Sequence, residues 1–581
     1  MKLFQDVKIS RQSSIWILIL FLLAIFGISS RIWLSEDSYI SFRYIDQLFA
    51  GNGLVFNKND RVEGFTHPYW LFLVLIVHSL GIHFHQGSIL LGFLLILSGL
   101  GIFTYLKLKK GYLLWIFPAI LVSHEGFRDF STSGLEFPLT FFLLSLLTWL
   151  NFEKKLDSPF LLGTIISCLY HTRPEMGLLI PFFFFWKILE ERKSPNFQWI
   201  FRFGLAVLIF AVGYHIFRYA YYHDIFTNTF YAKSGSKSRY YDGFKYLFHF
   251  VYYSKFTVLT LIGFVGYTVY SYFHDSRVPE LKTLPWRELF LSAFVAHYII
   301  RVGGDFMGFR LLLPYFVIAL FAFDQIVNQF FKDRLTPKWQ FKLNLVLILI
   351  ASFLILEKSN YPLVKFGVVN ERKAYTKGVY SGVKEIVSGI KHEWFLKGLE
   401  YKDLQKCLGE DEFIITNSVT EAKCLEKGVG LGYFGVASGP DVILIDELGL
   451  TDKDIAKSGK KSVHDRVGHE RSISIEQVIQ KKAIFCSLDD ERYDRIMNTK
   501  YGVILRLNRN FLASLGPEDY ETRIKFLKKL YSELKSGSSP EDKKLLARLQ
   551  MLESQSGESI ENLPIQYEFD PQRYNKEFCW Q

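Results

Sequence analysis

Two adjacent acids stand beside a long apolar run and are the first residues with chemistry to offer. Glu36 and Asp37, in the stretch SEDSYISFRY (35–44), follow directly on the apolar residues 14–30. A carboxylate at the edge of a membrane cavity can serve as a general base, and partial desolvation or a neighbouring acid raises its pKa. A surface pair that ends a helix and orients the apolar segment fits the local sequence equally well.

The stretch RVGGDFMGFR (301–310) combines paired glycines with an acid between two arginines. Asp305 lies between Arg301 and Arg310, and Arg310 opens a long apolar run. An arginine at that depth is costly unless it pairs or reaches the interface. A guanidinium also binds phosphate in a bidentate geometry. The stretch therefore predicts either a phosphate contact or a structural pair of arginine and Asp305.

Two further acid-containing stretches break apolar sequence. TRPE (172–175) supplies Arg173, either for pairing with other loops or for contact with substrate. STSGLEFP (131–138) places Glu136 at the start of an apolar run. The plainer interpretation of Glu136 is an acid stabilised by the dipole at a helix N-terminus.

A basic and aromatic stretch, TNTFYAKSGSKSRYY (227–241), surrounds Lys233 with tyrosines and small polar residues. This composition suits a loop over a sugar phosphate, where aromatic rings stack on the sugar and Asn228 bonds its hydroxyl groups. A solvated basic loop is the alternative.

The composition indicates a membrane protein with a globular tail. Of 581 residues, 50% are hydrophobic, 17% aromatic and only 22% charged, which is more apolar than a soluble protein of this length. Residues 1–356 contain repeated apolar runs, whereas 357–581 resemble an ordinary soluble domain. The net charge of +11 occurs without an arginine- and lysine-rich nucleic-acid motif interleaved with aromatics. It therefore favours anionic lipid or anionic substrates over nucleic acid as partners.

Apolar runs long enough to cross a bilayer as helices predict about eleven spans. They are 14–31, 86–106, 111–124, 135–151, 159–171, 176–190, 199–219, 256–273, 287–300, 310–331 and 339–356.

The basic loops predict the orientation of these spans, because cytoplasmic loops carry excess lysine and arginine. The loops are KLKK (107–110), EKK (153–155), EERK (190–193), RVPELK (277–282) and KDRLTPKWQFK (332–342). All five fall inside if the N-terminus is inside and 68–82 is a surface helix within a large outer loop, 32–85. The polar motifs and the tail then lie outside.

The tail predicts an α/β or α+β domain. Strand-like runs at 412–418, 441–450 and 502–507 alternate with helical patterns such as 518–535. Cys407 and Cys424 flank the first of these strands, either as a disulfide in a tail outside the cytoplasm or as two free thiols.

Taken together, the motifs resemble the GT-C superfold of polyprenyl-phosphate-dependent glycosyltransferases, and more closely the terminal β-(1→2)-arabinofuranosyltransferase family of mycobacterial cell walls. The similarity extends to about residue 480. The stretches that carry it are EDSYISFRYIDQLFAGNGLVFNKNDRVEGFTHPYW (36–70), STSGLE (131–136), TRPE (172–175), TNTFYAK (227–233), GGDFMGFRLLLP (303–314), DELGLTDKDIAK (446–457) and RVGHER (466–471).

The resemblance implies a GT-C-type bundle at 1–356 and an extracytoplasmic domain at 357–581, in a bacterial inner membrane. It also implies inverting transfer of a sugar from a polyprenyl-phosphate donor to a glycan or glycolipid acceptor, with membrane lipid as a further partner. The residues to which it assigns roles are Asp37 as base with Glu36 as support; Arg310, Arg301, Lys233 and Arg173 for the donor phosphate; and Asp305, His67, Asn228, Tyr231 and Glu136 for positioning sugar or acceptor.

The sequence departs from the family at two places. The usual Asp-Asp pair reads Glu36-Asp37, and the usual Pro-Asn-Thr pattern begins with Thr227. The exchange in the acid pair leaves the base open between Asp37 and Glu36, and the changed loop pattern means that arabinose is not fixed as the sugar. The acids at 36 and 37, with Asp305 or Glu136, also leave a divalent cation open as a ligand. A transporter or a protein that binds lipid-linked substrate is the alternative function. Charges gathered at one edge, without a visible repeat, disfavour transport.

Overall fold

The computed structural model of the chain is mainly helical. It describes residues 10–152, 158–190, 196–233, 238–254, 256, 258, 285–332, 334–357, 361–376, 390, 392–408, 414–417, 430–446, 448–458, 461–466, 469–471 and scattered positions between 528 and 562.

The helices and strands follow one another in this order. The helices are α1 (Arg11–Ser29), α2 (Glu36–Phe49), α3 (Pro68–Ser79), α4 (Phe84–Lys109), α5 (Ile116–Ser123), α6 (Glu125–Phe130), α7 (Phe137–Phe152), α8 (Pro159–Tyr170), α9 (Leu179–Glu190), α10 (Phe197–Val207), α11 (Gly213–Tyr222), α12 (Asn228–Lys233), α13 (Tyr240–Tyr253), α14 (Trp286–Val302), α15 (Leu313–Phe331), α16 (Pro337–Leu356), α17 (Glu371–Tyr375), α18 (Glu393–Leu408), α19 (Leu431–Ser438) and α20 (Lys453–Lys457). The strands are β1 (Val364–Lys365), β2 (Val368–Val369), β3 (Ile414–Asn417), β4 (Ile443–Asp446), β5 (Lys461–Arg466) and β6 (His469–Arg471).

The chain divides into two compact units that do not follow the order of the sequence. The first unit comprises Met1–Ser35, Thr66–Ala220 and Ser236–Gly389. The second comprises Glu36–Phe65, Tyr221–Gly235 and Ile390–Gln581. The second unit thus combines the C-terminal part of the chain with two segments from the predicted outer loops.

Helices of the first unit supply the membrane character that the sequence predicts. Among the described residues, five helical segments are long and apolar enough to cross a bilayer: α1, α4, α15, α16 and the continuous segment Phe197–Tyr222. Helices α3, α7 and α8 are apolar but shorter. The run 111–124 contains only the eight-residue helix α5, and most of 256–273 lies outside the described residues. The number eleven therefore stays a prediction, as does the surface position of 68–82.

One loop that the sequence assigns to the cytoplasm begins inside a helix. Lys107 lies within α4, fully buried, and its Nζ is 2.5 Å from Asp324 Oδ2 on α15 and 2.8 Å from the carbonyl oxygen of Leu114. Because this ammonium is paired in the protein interior, the excess positive charge of the loop comes from Lys109 and Lys110.

The second unit is built around the packing of α2 against α19. A parallel pair of strands, β3 and β4, flanks α19 in the sequence, with Ile414 opposite Ile443. Strand, helix and parallel strand in succession are typical of an α/β arrangement. The predicted strand 502–507, the helix 518–535 in its greater part and Cys424 lie outside the described residues. The Cys407–Cys424 pairing therefore stays a prediction.

Candidate active site

Glu136 is the centre of a buried ionic cluster in the first unit. It lies one residue before α7, and its Oε1 is 2.6 Å from Arg173 Nη1. Arg310 Nη2 is 3.3 Å from Glu136 Oε2, and His67 Nδ1 is 3.7 Å from the same oxygen. The predicted plain role of Glu136 as a helix-start acid is thus incomplete, because three predicted site residues converge on it.

The surroundings of Glu136 keep it ionised. Burial alone would raise the pKa of Glu136, but Arg310 and Arg173 outweigh burial and lower that pKa to about 2. Burial lowers the pKa of His67 to about 4, although Glu136 opposes the shift. His67 is therefore a neutral imidazole at pH 7, and its 3.7 Å separation from Glu136 is neither an ion pair nor a hydrogen bond.

The two arginines of the cluster are held differently. Arg173 also donates through Nε to Glu175 Oε1 at 2.6 Å, and its side chain is 4% exposed. Arg310 reaches Glu136 only at 3.3–3.5 Å and is 13% exposed. A well-satisfied Arg173 orients Glu136, whereas Arg310 has longer contacts that a phosphate oxygen could replace.

The loop that carries Arg310 is shaped by left-handed backbone. Gly303 and Gly304 adopt φ values of 98° and 75°, and Phe309 adopts 68°. A bulky residue with positive φ is strained, and such strain persists where the surrounding structure imposes it. Arg301 lies at the end of α14, and its carbonyl accepts from Arg239.

The alternative of a structural pair at Asp305 is wrong. Within the described residues, Asp305 forms no ion pair; its Oδ1 accepts the backbone N–H of Phe306 at 2.8 Å. Arg310 pairs instead with Glu136, which lies 174 residues away in the sequence. A partner so remote could not be found from local sequence.

In the second unit, Glu36 and Asp37 form the first turn of α2 but have different surroundings. Glu36 is 7% exposed, and its Oε1 accepts the backbone N–H groups of Gly432, in a short contact, and of Tyr433, at 3.3 Å. It thereby caps the N-terminus of α19. Asp37 is half-buried.

Burial raises the pKa of Glu36 to about 8, and the neighbouring Asp37 adds to the shift, while the N–H groups of Gly432 and Tyr433 oppose it. Glu36 is thus buried and held by backbone donors, which leaves Asp37 as the acid of the pair with the more open surroundings. The assignment of the base to Asp37 stays a prediction.

Arg43, one α2 residue that the sequence analysis did not single out, caps the other end of α19. Its guanidinium donates to the carbonyl oxygens of Gly435 and Val442 in short contacts, and to Gly439 at 3.0 Å. It also donates to Phe56 at 2.9 Å. Glu36 thus accepts N–H groups at the N-terminus of α19, and Arg43 places a cation at its C-terminus, as the helix dipole favours.

Glycines permit this close contact between α2 and α19. A Cβ on Gly432 would lie 2.2 Å from the carbonyl oxygen of Glu36, and one on Gly430 would lie 2.6 Å from Glu36 Oε1. The repeated glycines of GVGLGYFG (428–435) were a usable signal, since such spacing marks a close helix contact. Their partner helix could not be inferred.

Helix α12 carries three predicted site residues of the second unit. The side-chain amide of Asn228 donates to the carbonyl oxygens of Gly449 at 2.6 Å and Leu450 at 3.0 Å. Its donors therefore hold the loop after β4, and its role toward sugar stays a prediction. The carbonyl of Tyr231 accepts from Arg471 at 2.9 Å, and Lys233 is exposed at the end of the helix.

The described residues contain no group of three or more His, Cys, Asp or Glu side chains that could hold a metal ion.

Two curated proteins are similar to this chain. A protein of Mycobacterium tuberculosis is 25% identical over 546 residues, which cover 80% of this chain and 85% of the relative. A protein of Corynebacterium glutamicum is 29% identical over 330 residues, which cover 50% of this chain and about half, 48%, of the relative. Both are named terminal β-(1→2)-arabinofuranosyltransferase. The chain resembles this family.

The resemblance inferred from the motifs is confirmed by these relatives. The relatives are glycosyltransferases by name, and together with the apolar helices they indicate a multi-pass membrane protein. No family profile matches the chain, and no solved structure matches it significantly.

Proposed function

We propose that the protein is a membrane glycosyltransferase that moves a sugar from a polyprenyl-phosphate donor to a glycan or glycolipid acceptor. The observation that carries this proposal is the similarity to two arabinofuranosyltransferases, one of them over 80% of the chain. The reaction takes place at the outer face of a bacterial inner membrane, where lipid-linked sugars replace nucleotide sugars as donors.

The reaction is a single displacement at the anomeric carbon. Asp37 takes the proton of the acceptor hydroxyl while the oxygen of that hydroxyl forms a bond to the anomeric carbon. The bond between that carbon and the phosphate oxygen breaks, and polyprenyl phosphate leaves with the electron pair. One displacement inverts the configuration of the sugar. Asp37 suits this role because it is half-buried, whereas Glu36 is buried and caps α19.

Arg310 stabilises the phosphate as its negative charge grows. Its side chain is more exposed than that of Arg173 and makes longer contacts with Glu136. A guanidinium preorganised by Glu136 loses little freedom on binding phosphate, which favours transition-state stabilisation. Lys233 and Arg301 provide further positive charge for the donor. The neutral imidazole of His67 offers a hydrogen bond to a sugar hydroxyl, as Asp305, Asn228 and Tyr231 do in this proposal.

The decisive experiment measures polyprenyl phosphate released by the purified full-length protein. Arabinofuranosyl and other polyprenyl-phosphate sugars serve as donors, and cell-wall glycans and glycolipids serve as acceptors. Acceptor-dependent release is expected with at least one donor. Donor binding without release in any combination would contradict the proposal and support a binding protein or transporter.

Substitution separates the roles of the two acids. Asp37→Asn should lower kcat by about 10²–10⁴-fold, the usual contribution of general acid–base catalysis. Asp454→Asn is the matched control, because it makes the same chemical change at an exposed acid of the second unit. Full turnover in Asp37→Asn would remove Asp37 from the mechanism.

A further inference from the structure

Helix α13 in the first unit presents an apolar face to its surroundings. The exposed side chains recur at helical spacing: Tyr241 is 73% exposed, Phe244 57%, Phe248 54% and Val251 42%. On the other side of the helix, Tyr246 is 1% exposed and His249 is fully buried. In a helix on the surface of a soluble protein the large apolar side chains face the core, whereas in α13 the large aromatic side chains lie on the exposed face.

The hairpin β1–β2 continues this apolar face. Leu363 and Val364 are 47% and 55% exposed, although both are aliphatic. The ring of Phe366 lies 5.1 Å from that of Phe248 and 6.0 Å from that of Tyr252. The open face of α13 and the outer side of the hairpin thus form one continuous surface, which we call the aromatic platform: Tyr241, Phe244, Phe248, Val251, Tyr252, Leu363, Val364 and Phe366.

The turn of the hairpin supports a role for the Phe366 side chain itself. Phe366 and Gly367 adopt φ values of 56° and 79° between the paired residues Lys365 and Val368. Two-residue turns of this kind favour asparagine, aspartate or glycine, and a bulky residue adopts positive φ only with strain. A phenylalanine at this position places a large ring at the tip of the hairpin.

Two lysines accompany the platform. Lys245 Nζ lies 4.0 Å from the centre of the Tyr241 ring, and Lys365 Nζ lies 5.3 Å from the centre of the Phe366 ring. Tyrosine and phenylalanine beside lysine are typical of segments at the boundary between lipid headgroups and acyl chains.

The position of the hairpin in the chain points to the same boundary. Helix α16, which is long and apolar enough to span a membrane, ends at Leu356, and β1 begins at Val364. Phe353 and Leu356 at the end of α16 are 65% and 71% exposed. The sequence also predicts a span, 256–273, soon after α13, although most of it lies outside the described residues. The hairpin therefore follows a candidate membrane span, and the sequence prediction places α13 next to another.

We propose that the aromatic platform lies in the lipid headgroup boundary, at the membrane face where α16 ends. This inference does not depend on the proposed function, because it concerns only what covers the surface. Its occupant is the lipid bilayer, and its lysines lie at headgroup level.

The inner side of the same elements holds the loop that carries Arg310. Tyr246 Oη donates to the carbonyl of Met307 at 3.1 Å and accepts the N–H of Leu311 at 3.0 Å. Val369 of β2 donates to Phe306 at 2.7 Å, and its carbonyl accepts from Gly308 at 3.0 Å. Because α13 and β2 hold the loop 303–311 through these hydrogen bonds, contact of the platform with lipid would also determine the depth of this loop relative to the headgroups.

Spin-label accessibility tests the inference. The five cysteines are replaced by serine in the full chain, and single labels are attached in nanodiscs through Phe244→Cys, Val251→Cys and Val364→Cys. Phe353→Cys on α16 is the lipid reference, and Lys110→Cys, exposed after α4, is the water reference. All five positions are exposed or largely so, which limits any effect on folding.

Labels on the platform should collide with oxygen several-fold more often than with a water-soluble nickel complex, as the label at Phe353 does. Preference for nickel, as at Lys110, would overturn the inference, because the surface would face water. Exclusion of both reagents would overturn it in favour of a second copy or a partner protein. On the unmodified protein, a lipid-soluble diazirine should label peptides 240–253 and 361–369, and absence of label there would contradict the inference independently.

Discussion

Two buried glutamates of this chain differ in charge at pH 7, Glu36 being mostly neutral and Glu136 negative, because their nearest neighbours differ. Burial and the adjacent Asp37 raise the pKa of Glu36 to about 8. Burial would also raise the pKa of Glu136, but Arg310 and Arg173 lower it to about 2. Burial sets only the tendency toward neutrality, and the sign of the nearest charge decides the outcome. The two residues should therefore respond differently to pH and to substitution.

The free energy of unfolding should depend on pH because the pKa of Glu36 is raised in the folded state. Folded Glu36 keeps its proton up to about pH 8, whereas the unfolded residue loses it at the ordinary value for glutamate. Between these two pKa values the folded state binds more protons than the unfolded state. The stability that protonated Glu36 contributes is therefore complete below this pH range and is lost as the pH rises through it. Glu36→Gln cannot titrate, and its melting temperature should fall less than that of the wild type between pH 5 and 8. Parallel melting curves for the two proteins across this range would contradict the prediction.

Substituting Arg310 should mainly affect the kinetics of the enzyme, whereas substituting Arg173 should mainly affect its stability. Arg310→Gln should lower kcat/KM for the donor by about 10- to 100-fold, the loss of one charge-assisted hydrogen bond to the phosphate, with little change in melting temperature. Arg173→Gln leaves Glu136 and Glu175 without their closest cation, and breaking such buried pairs costs about 3–5 kcal/mol. Steady-state kinetics and thermal unfolding measure the two effects. Arg202→Gln, at an exposed arginine of α10, is the control, and the reverse pattern would exchange the roles of Arg310 and Arg173.

At the scale of elements, α2 binds both ends of α19 through residues seven positions apart. Glu36 accepts from the N-terminal N–H groups of α19, and Arg43 donates to carbonyl oxygens at its C-terminus. Seven residues of helix rise about 10 Å, close to the length of the eight-residue α19. The two helices therefore run parallel, and α2 compensates the unsatisfied backbone groups at both ends of its neighbour.

The close contact between α2 and α19 requires glycine at position 432, where any Cβ would collide with α2. Gly432→Ala would place a Cβ 2.2 Å from the carbonyl oxygen of Glu36, and such overpacking costs about 1–3 kcal/mol. Thermal unfolding should show a clear loss of stability. Gly204→Ala in α10 is the matched control, since nothing lies within 4 Å of its added Cβ. Equal melting temperatures for the two variants would mean that α2 and α19 pack less closely than the structure indicates.

What the sequence could predict depended on how far apart the interacting residues lie. Apolar periodicity and composition predicted helices such as α4 and α16, because these signals are local. The motifs also identified Glu136, Arg173 and Arg310 one by one. Their convergence could not be predicted, since Arg310 lies 174 residues from Glu136. Arg43 escaped notice for the same reason, because its acceptors lie up to 399 positions away.

At the scale of the whole molecule, the distribution of lysine predicts the side of the membrane on which each loop lies. With Lys107 buried against Asp324, Lys109 and Lys110 still give the loop after α4 a positive charge, so it should be cytoplasmic. The residues after α16 should be outside. Ala374 of α17 and Lys110 are both exposed and serve as reporters in a chain without other cysteines.

A membrane-impermeant maleimide should label Ala374→Cys in intact spheroplasts but leave Lys110→Cys unlabelled, and the pattern should reverse in inside-out vesicles. The reason is that positively charged loops are retained on the cytoplasmic side during insertion. Permeabilised cells, in which both positions should react, control for accessibility. Labelling of both cysteines from the same side would mean an even number of crossings between them, where the eleven predicted spans require an odd number. The outer location of the residues that follow α16 would then be wrong, and the reaction could not be assigned to the outer face on this basis.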